Sequence, residues 1–204
     1  MKIELPDGET HAYIFDCDGT LADSMPMHYR AWKQAFEKNS AKFPFTWELF
    51  YSMAGAGMYD SVVILNERYQ DDLDPDTVVR DQDQFLRHEL DSVEPIHQVV
   101  ELAKELKEKG FPIAVASGGD RAHVESTLTY CGIIDLFDAI VTKNDVERSK
   151  PAPDGFLKAA ELLSVAPEKC VVFEDSQLGI TAAETCGMRW VFIDPEIYSG
   201  GAGI

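Results

Sequence analysis

The chain is predicted to be an α/β protein: a doubly wound parallel sheet with a small all-helical segment inserted after its first strand. Two observations carry that prediction. From residue 110 onward, apolar runs at 111–116, 139–141, 170–173 and 190–193 alternate with helix-like stretches near 121–131, 154–164 and 177–186. Runs this short and this apolar suit strands covered on both faces, and strand–helix–strand spacing implies parallel pairing. The second observation is a contrast: residues 22–91 carry helical periodicities and no convincing strand.

Taken in order, Ala12-Tyr13-Ile14-Phe15 reads as the first strand, followed by the acidic, turn-forming Asp16-Cys17-Asp18-Gly19-Thr20. Met25, Tyr29, Trp32 and Phe36 then recur at helical spacing, as do Trp47, Phe50 and Met53. Asp74 before Pro75 has the form of an N-cap with proline in the first turn, leading into Val78, Val79, Phe85 and Leu86. Pro95 and Gly110 bracket the next helix, with Ile96, Val99, Val100, Ala103 and Leu106 on its buried face. The division that results is an α/β core of 1–21 plus 92–204 and a helical insertion of 22–91, hinged near 21–24 and 91–95. The aromatic residues of the insertion (Trp32, Phe36, Phe43, Phe45, Trp47, Phe50) are expected to form its own small core. The glycine-rich tail at 199–203 is expected to fray.

Charge narrows the partners. With 204 residues, 18 Lys+Arg against 36 Asp+Glu and a net charge of −18, the chain repels nucleic acid and anionic membrane surfaces. No apolar stretch is long enough to span a bilayer, and the first residues lack a signal-peptide pattern. Cys17, Cys131, Cys170 and Cys186 lie far apart with no C-x-x-C pair, which fits neither a disulfide framework nor a zinc cluster. A reducing cytoplasm is the expected compartment, and a monomer the expected state.

In open parallel sheets, ligands bind beyond the carboxyl ends of the strands. Asp16 and Asp18 follow the first apolar run, Ser117 follows Val115-Ala116, and Glu174-Asp175 follows Val172-Phe173. Lys150 lies in the loop after the 139–141 run. One rim would then hold four carboxylates, a hydroxyl and an ammonium group. So many carboxylates repel one another, and a hard divalent cation such as Mg²⁺ resolves the conflict. The remaining groups suit a phosphoryl group, with Ser117, Lys150 and the backbone N–H groups of Gly118 and Gly119 around its oxygens. One carboxylate can attack phosphorus, and Asp18 is spaced to move the proton as acid and then base; for the acid role its pKa is expected to be raised.

Four stretches in order, Phe15-Asp16-Cys17-Asp18-Gly19-Thr20-Leu21, Ala116-Ser117-Gly118, Lys150-Pro151-Ala152-Pro153-Asp154 and Phe173-Glu174-Asp175-Ser176, resemble the four motifs of the haloacid dehalogenase superfamily. The insertion resembles that superfamily's helical cap. Asp23-Ser24, His28, Arg30-Ala31-Trp32 and the stretch from Glu174 through Gly179-Ile180 resemble its beta-phosphoglucomutase-like group of sugar-phosphate phosphatases and mutases. The resemblance implies Asp16 as nucleophile and Asp18 as acid/base. It implies Mg²⁺ held by Asp16, Asp18 (through its carbonyl) and Asp175, with Glu174 either a further ligand or an acceptor just outside them. Ser117, Gly118 and Lys150 would bind the phosphoryl group; His28 and the loop containing Gly55 and Gly57 would meet the substrate from the cap.

The implied reaction is Mg²⁺-dependent hydrolysis of a small phosphomonoester, a sugar phosphate, through an aspartyl-phosphate. The mutase of the group carries an arginine after its cap loop where this chain has Met58, so a mutase stands as the alternative. From another class, a phospho-acceptor signalling domain shares the carboxylate cluster, hydroxyl and lysine, but lacks a helical insertion of this size.

Overall fold

The computed structural model describes residues 3–89 and 92–194; Asp91 and the 199–203 tail, both addressed above, lie outside the described residues. Five strands, β1 (Ala12–Phe15), β2 (Ile113–Ala116), β3 (Ala139–Val141), β4 (Cys170–Glu174) and β5 (Arg189–Phe192), form one parallel sheet in the order β3-β2-β1-β4-β5. The chain leaves β1 toward β2 on one side and later returns to place β4 on the other, so the sheet order reverses beside β1. That reversal opens a crevice at the carboxyl ends of β1 and β4.

Strand alternation sends successive side chains to opposite faces, and both faces are covered. Tyr13 and Phe15 join Val115, Val171 and Phe173 beneath helices α5 (His97–Glu108) and α6 (Arg121–Tyr130). Ala12 and Ile14 join Ala114, Ala116 and Val172 beneath α7 (Asp154–Leu162) and α8 (Gln177–Thr185). The rings of Phe15 and Phe173 stack at 4.5 Å, locking β1 to β4 just below their chemically loaded ends. Cys17 is fully buried on the α5/α6 side, away from the two aspartates that flank it in sequence. All four cysteines are free thiols.

Residues 25–87 form four helices: α1 (Met25–Lys38), α2 (Trp47–Tyr51), α3 (Met58–Tyr69) and α4 (Pro75–Arg87). Their apolar sides meet in a cluster of their own, including Tyr29, Trp32, Phe36, Phe43, Phe50, Val62, Leu65 and Val78. Asp74 caps α4 by accepting from the Thr77 backbone N–H, with Pro75 opening the helix. Helix α3 has no counterpart in the sequence reading, because Val62-Val63-Ile64 interrupts its apolar spacing with a β-branched run. Where the insertion leaves and re-enters the core, the chain pairs with itself: Asp23 N–H donates to the Glu94 carbonyl at 2.8 Å, and Ile96 N–H to Leu21 at 2.9 Å. Among the described residues, no helix is long and apolar enough to cross a membrane.

Candidate active site

A cavity of about 140 Å³ lies between the strand ends and the helical insertion. Its floor holds Asp16, Asp18, Ser117, Gly118, Lys150, Glu174 and Asp175, and its roof holds His28, Trp32, Gly55, Met58 and Gln82. Residues separated by up to 159 positions in the chain therefore share one wall because parallel strands end together. Gly57 is the exception among the residues named from sequence. It does not line the cavity; it stands at the N-terminus of α3, where its carbonyl accepts from Ser61.

The carboxylates of Asp16, Glu174 and Asp175 are all buried, and each offers an oxygen within 4.8 Å of the others. Lys150 Nζ donates to Asp16 Oδ1 at 2.5 Å and to Glu174 Oε2 at 2.7 Å. One ammonium against three carboxylates leaves the group short of positive charge. Burial, then the neighbouring Glu174 charge, push the Asp16 pKa up to about 8 despite Lys150. Burial, then the charges of Glu174 and Asp16, hold Asp175 well above the ordinary carboxylate range. A compact set of buried, mutually repelling oxygen donors suits a hard divalent cation, so these residues fit Mg²⁺.

Two glycines allow the set to close. Gly19 has φ +83°, and a Cβ there would fall on the Asp175 carboxylate; at Gly179 a Cβ would fall on the carboxylate of Glu174. Ser176 then finishes the arrangement. Its hydroxyl donates to Glu174 Oε1 at 2.6 Å while accepting from the Gly179 N–H as the N-cap of α8.

Asp18 differs from the expectation of a raised pKa. Burial alone would raise it, but the charges of His123 and His28, and their hydrogen bonds, outweigh burial and hold it well below the usual carboxylate range. His28 Nε2 lies 3.2 Å and His123 Nε2 3.1 Å from Asp18 Oδ1, and Ser24 Oγ donates to the same oxygen at 2.7 Å. His123 in turn is pulled down by burial and raised, on balance, by Asp18.

Sequence reasoning missed His123, Tyr51 and Gln82. His123 lies in the first turn of α6, whose N-cap Asp120 follows Ser117-Gly118-Gly119 directly, and that position was the available signal. Tyr51, at the end of α2, donates from its hydroxyl to Asp175 Oδ2 at 3.4 Å, and burial and that carboxylate raise its pKa. Gln82 of α4 is 1% exposed, and neither atom of its amide has a hydrogen-bond partner. No spacing in the sequence distinguishes it from its solvated neighbours.

Residues 13–193 match the family model of haloacid dehalogenase-like hydrolases. The chain belongs to that family. It is 36% identical over 176 residues to the fructose-1-phosphate phosphatase YqaB of Escherichia coli K12, covering 86% of this chain and 92% of that protein. It is 30% identical over 184 residues to a phosphorylated carbohydrates phosphatase of Thermotoga maritima, covering 89% and 83% of the two chains. Among solved structures, CbbY of Rhodobacter sphaeroides in complex with phosphate superposes with a TM-score of 0.76 at 26% identity, over 89% of this chain and 84% of that one. A beta-phosphoglucomutase of Clostridium difficile shares the fold with a TM-score of 0.79 at 24% identity, over 93% and 86%. The chain is a phosphoric monoester hydrolase of this family.

Proposed function

We propose that the chain hydrolyses a small monophosphorylated sugar or polyol, with Mg²⁺ and through an aspartyl-phosphate on Asp16. The observation that carries this reading is the composition of the cavity wall. The floor gathers the carboxylates, Ser117 and Lys150, while the insertion contributes no lysine or arginine among the described residues. Phosphatase relatives acting on phosphorylated carbohydrates support the substrate class.

In this reading Asp16 Oδ attacks phosphorus as the bond to the sugar oxygen breaks, and the leaving oxygen takes a proton from the Asp18 side. Because Asp18 is held ionised, that proton resides on His123, whose pKa is raised, and reaches the leaving oxygen through the carboxylate. Asp18 then accepts a proton from the water that attacks the phospho-Asp16, releasing phosphate and restoring the carboxylate. Ser117 and Lys150 orient the phosphoryl oxygens. Asp16, Asp175 and the Asp18 carbonyl, with Glu174 beside them, would hold Mg²⁺, which would supply positive charge to the phosphoryl oxygens. The insertion, as a cap, excludes water during the first step.

A mutase needs a fixed cation for a second phosphate. Arg30 instead donates to Glu89, Arg80 to Thr77 and Arg87 to Asp83, while Arg68 lies over the Tyr69 ring. Gln82 offers a neutral amide with no protein partner, which suits a hydroxyl of the leaving group. A phosphate-release screen over sugar phosphates, nucleotides and phosphoglycolate, run beside glucose 1-phosphate isomerisation, tests the reading. Rapid release from sugar monophosphates without isomerisation is expected; isomerisation outpacing release would replace phosphatase with mutase. Four unpaired cysteines also fit a reducing cytoplasm as the working compartment.

A further inference from the structure

The carboxylate triad is not the cavity's sole candidate for an ion. Asp18, His28 and His123 each present a ligand atom within 4.8 Å of the others, and their chemistry is different. Two imidazole nitrogens and one carboxylate oxygen suit zinc and its first-row neighbours, whereas three carboxylates suit magnesium. Two of the three ligand spacings are compatible with such an ion. A tetrahedral ion with bonds of about 2.0–2.1 Å holds its ligand atoms about 3.3 Å apart. The Asp18 oxygen lies 3.2 Å from the His28 nitrogen and 3.1 Å from the His123 nitrogen.

Three groups crowd one carboxylate oxygen. A carboxylate oxygen has two lone pairs, yet Ser24, His28 and His123 all converge on Asp18 Oδ1. An ion between the imidazoles and Oδ1 satisfies both rings at once, leaving Ser24 as the hydrogen-bond donor. The two rings stand at 70° with centroids 5.0 Å apart, so they approach from different directions rather than stack. They also come from different parts of the molecule: His28 from α1 of the insertion, His123 from α6 of the core. All three residues line the cavity, so the site is open to it.

We propose that Asp18, His28 and His123 form a second metal site, selective for Zn²⁺ over Mg²⁺, which staples the helical insertion to the core. The site's inhibitory consequence rests on the reading of Asp18 as acid/base, because a zinc-bound carboxylate is withdrawn from proton transfer. Its affinity is moderate. Nδ1 of His123 is buried without a partner, so that ring lacks the outer hydrogen bond that supports most metal-bound histidines, an absence worth about 10–100-fold. Such a site is reversible and fills when zinc rises.

The test keeps Mg²⁺ saturating throughout and reads binding separately from catalysis. Zn²⁺ added to the Mg²⁺-loaded protein is followed by calorimetry, and Co²⁺ by its visible spectrum. One equivalent of Zn²⁺ is expected to bind, to raise Tm and to slow amide exchange in α1 and α6. Co²⁺ is expected to give the intense bands of a low-coordinate site with nitrogen ligands. His123→Gln keeps a donor near Asp18 but removes the imidazole, and it should weaken Zn²⁺ binding by at least about tenfold. His28→Gln should do the same from the other side of the cavity. Zinc displaced by excess Mg²⁺, a cobalt spectrum of all-oxygen octahedral type, or affinity unchanged in both variants would overturn the site. Binding with the nitrogen signature but undiminished phosphate release would uphold the site and overturn the role given to Asp18.

Discussion

Asp16 and Gln82 show how differently two buried polar residues can be maintained. Asp16 is crowded by like charge, with its pKa near 8, and Lys150 compensates it only in part. Asp16→Asn removes that repulsion, so the variant is expected to lose phosphatase activity by at least about 10³-fold while its Tm without Mg²⁺ stays level or rises. Retained turnover would end the nucleophile assignment. Gln82 has no repulsion to relieve but an amide left without partners inside the protein. Gln82→Leu is expected to stabilise the fold by about 1 kcal/mol and to lower kcat/KM by about tenfold. A stabilised variant with unchanged kcat/KM would show that no substrate hydroxyl meets this amide. Asp16 was legible in the sequence because it follows an apolar run into an acidic turn. Gln82 was not, since its burial depends on α4 packing against α1 and facing the core.

Within the insertion, α1 and α4 pack against each other, and one buried carboxylate joins them. Asp81 of α4 accepts from Lys38 Nζ at 2.8 Å and from Asn39 Nδ2 at 2.9 Å at the end of α1. Those two bonds, that from Lys38 first, hold its pKa below the ordinary value. Its stabilising contribution is therefore present above the ordinary carboxylate pKa and is lost as pH falls through the lowered one. Asp81→Asn is expected to speed amide exchange in α1 and α4 with little change in the exchange of β1, β2 and β4. Equal acceleration in the sheet would mean that the insertion and core unfold together. Helices α1 and α4 were readable from their apolar spacing and from the Asp74-Pro75 start. The hydrogen bonds joining them link residues more than forty positions apart, and no local pattern encodes them.

At the scale of the whole molecule, the carboxylate triad couples stability to both pH and metal. A carboxylate whose pKa is raised in the fold binds its proton more tightly there than in the unfolded chain. Stability therefore falls as pH rises from the ordinary value of 3.8 toward about 8, and the loss is complete above that. The raised pKa values of Asp175 and His123 act in the same direction. The Tm of metal-free protein is expected to drop between pH 6 and pH 9, where Mg²⁺ should restore more of it than at pH 6. Apparent Mg²⁺ affinity should rise over the same interval, because binding below about pH 8 must expel the Asp16 proton. A Tm that climbs with pH in the absence of metal would contradict the crowding of these three carboxylates.

The strand-end positions of Asp16, Asp18, Ser117 and Asp175 are written locally, each as a polar residue after an apolar run, and parallel pairing alone suffices to gather them on one rim. So does the helical character of the insertion, which follows from periodicity. The ionisation of Asp18 is not local in this sense. It reverses from the expected direction because α1 and α6 each deliver a histidine to one oxygen, a convergence created by how the insertion sits over the sheet. Electrostatic shifts depend on distances between groups remote in sequence, and those distances exist only once the layers have packed.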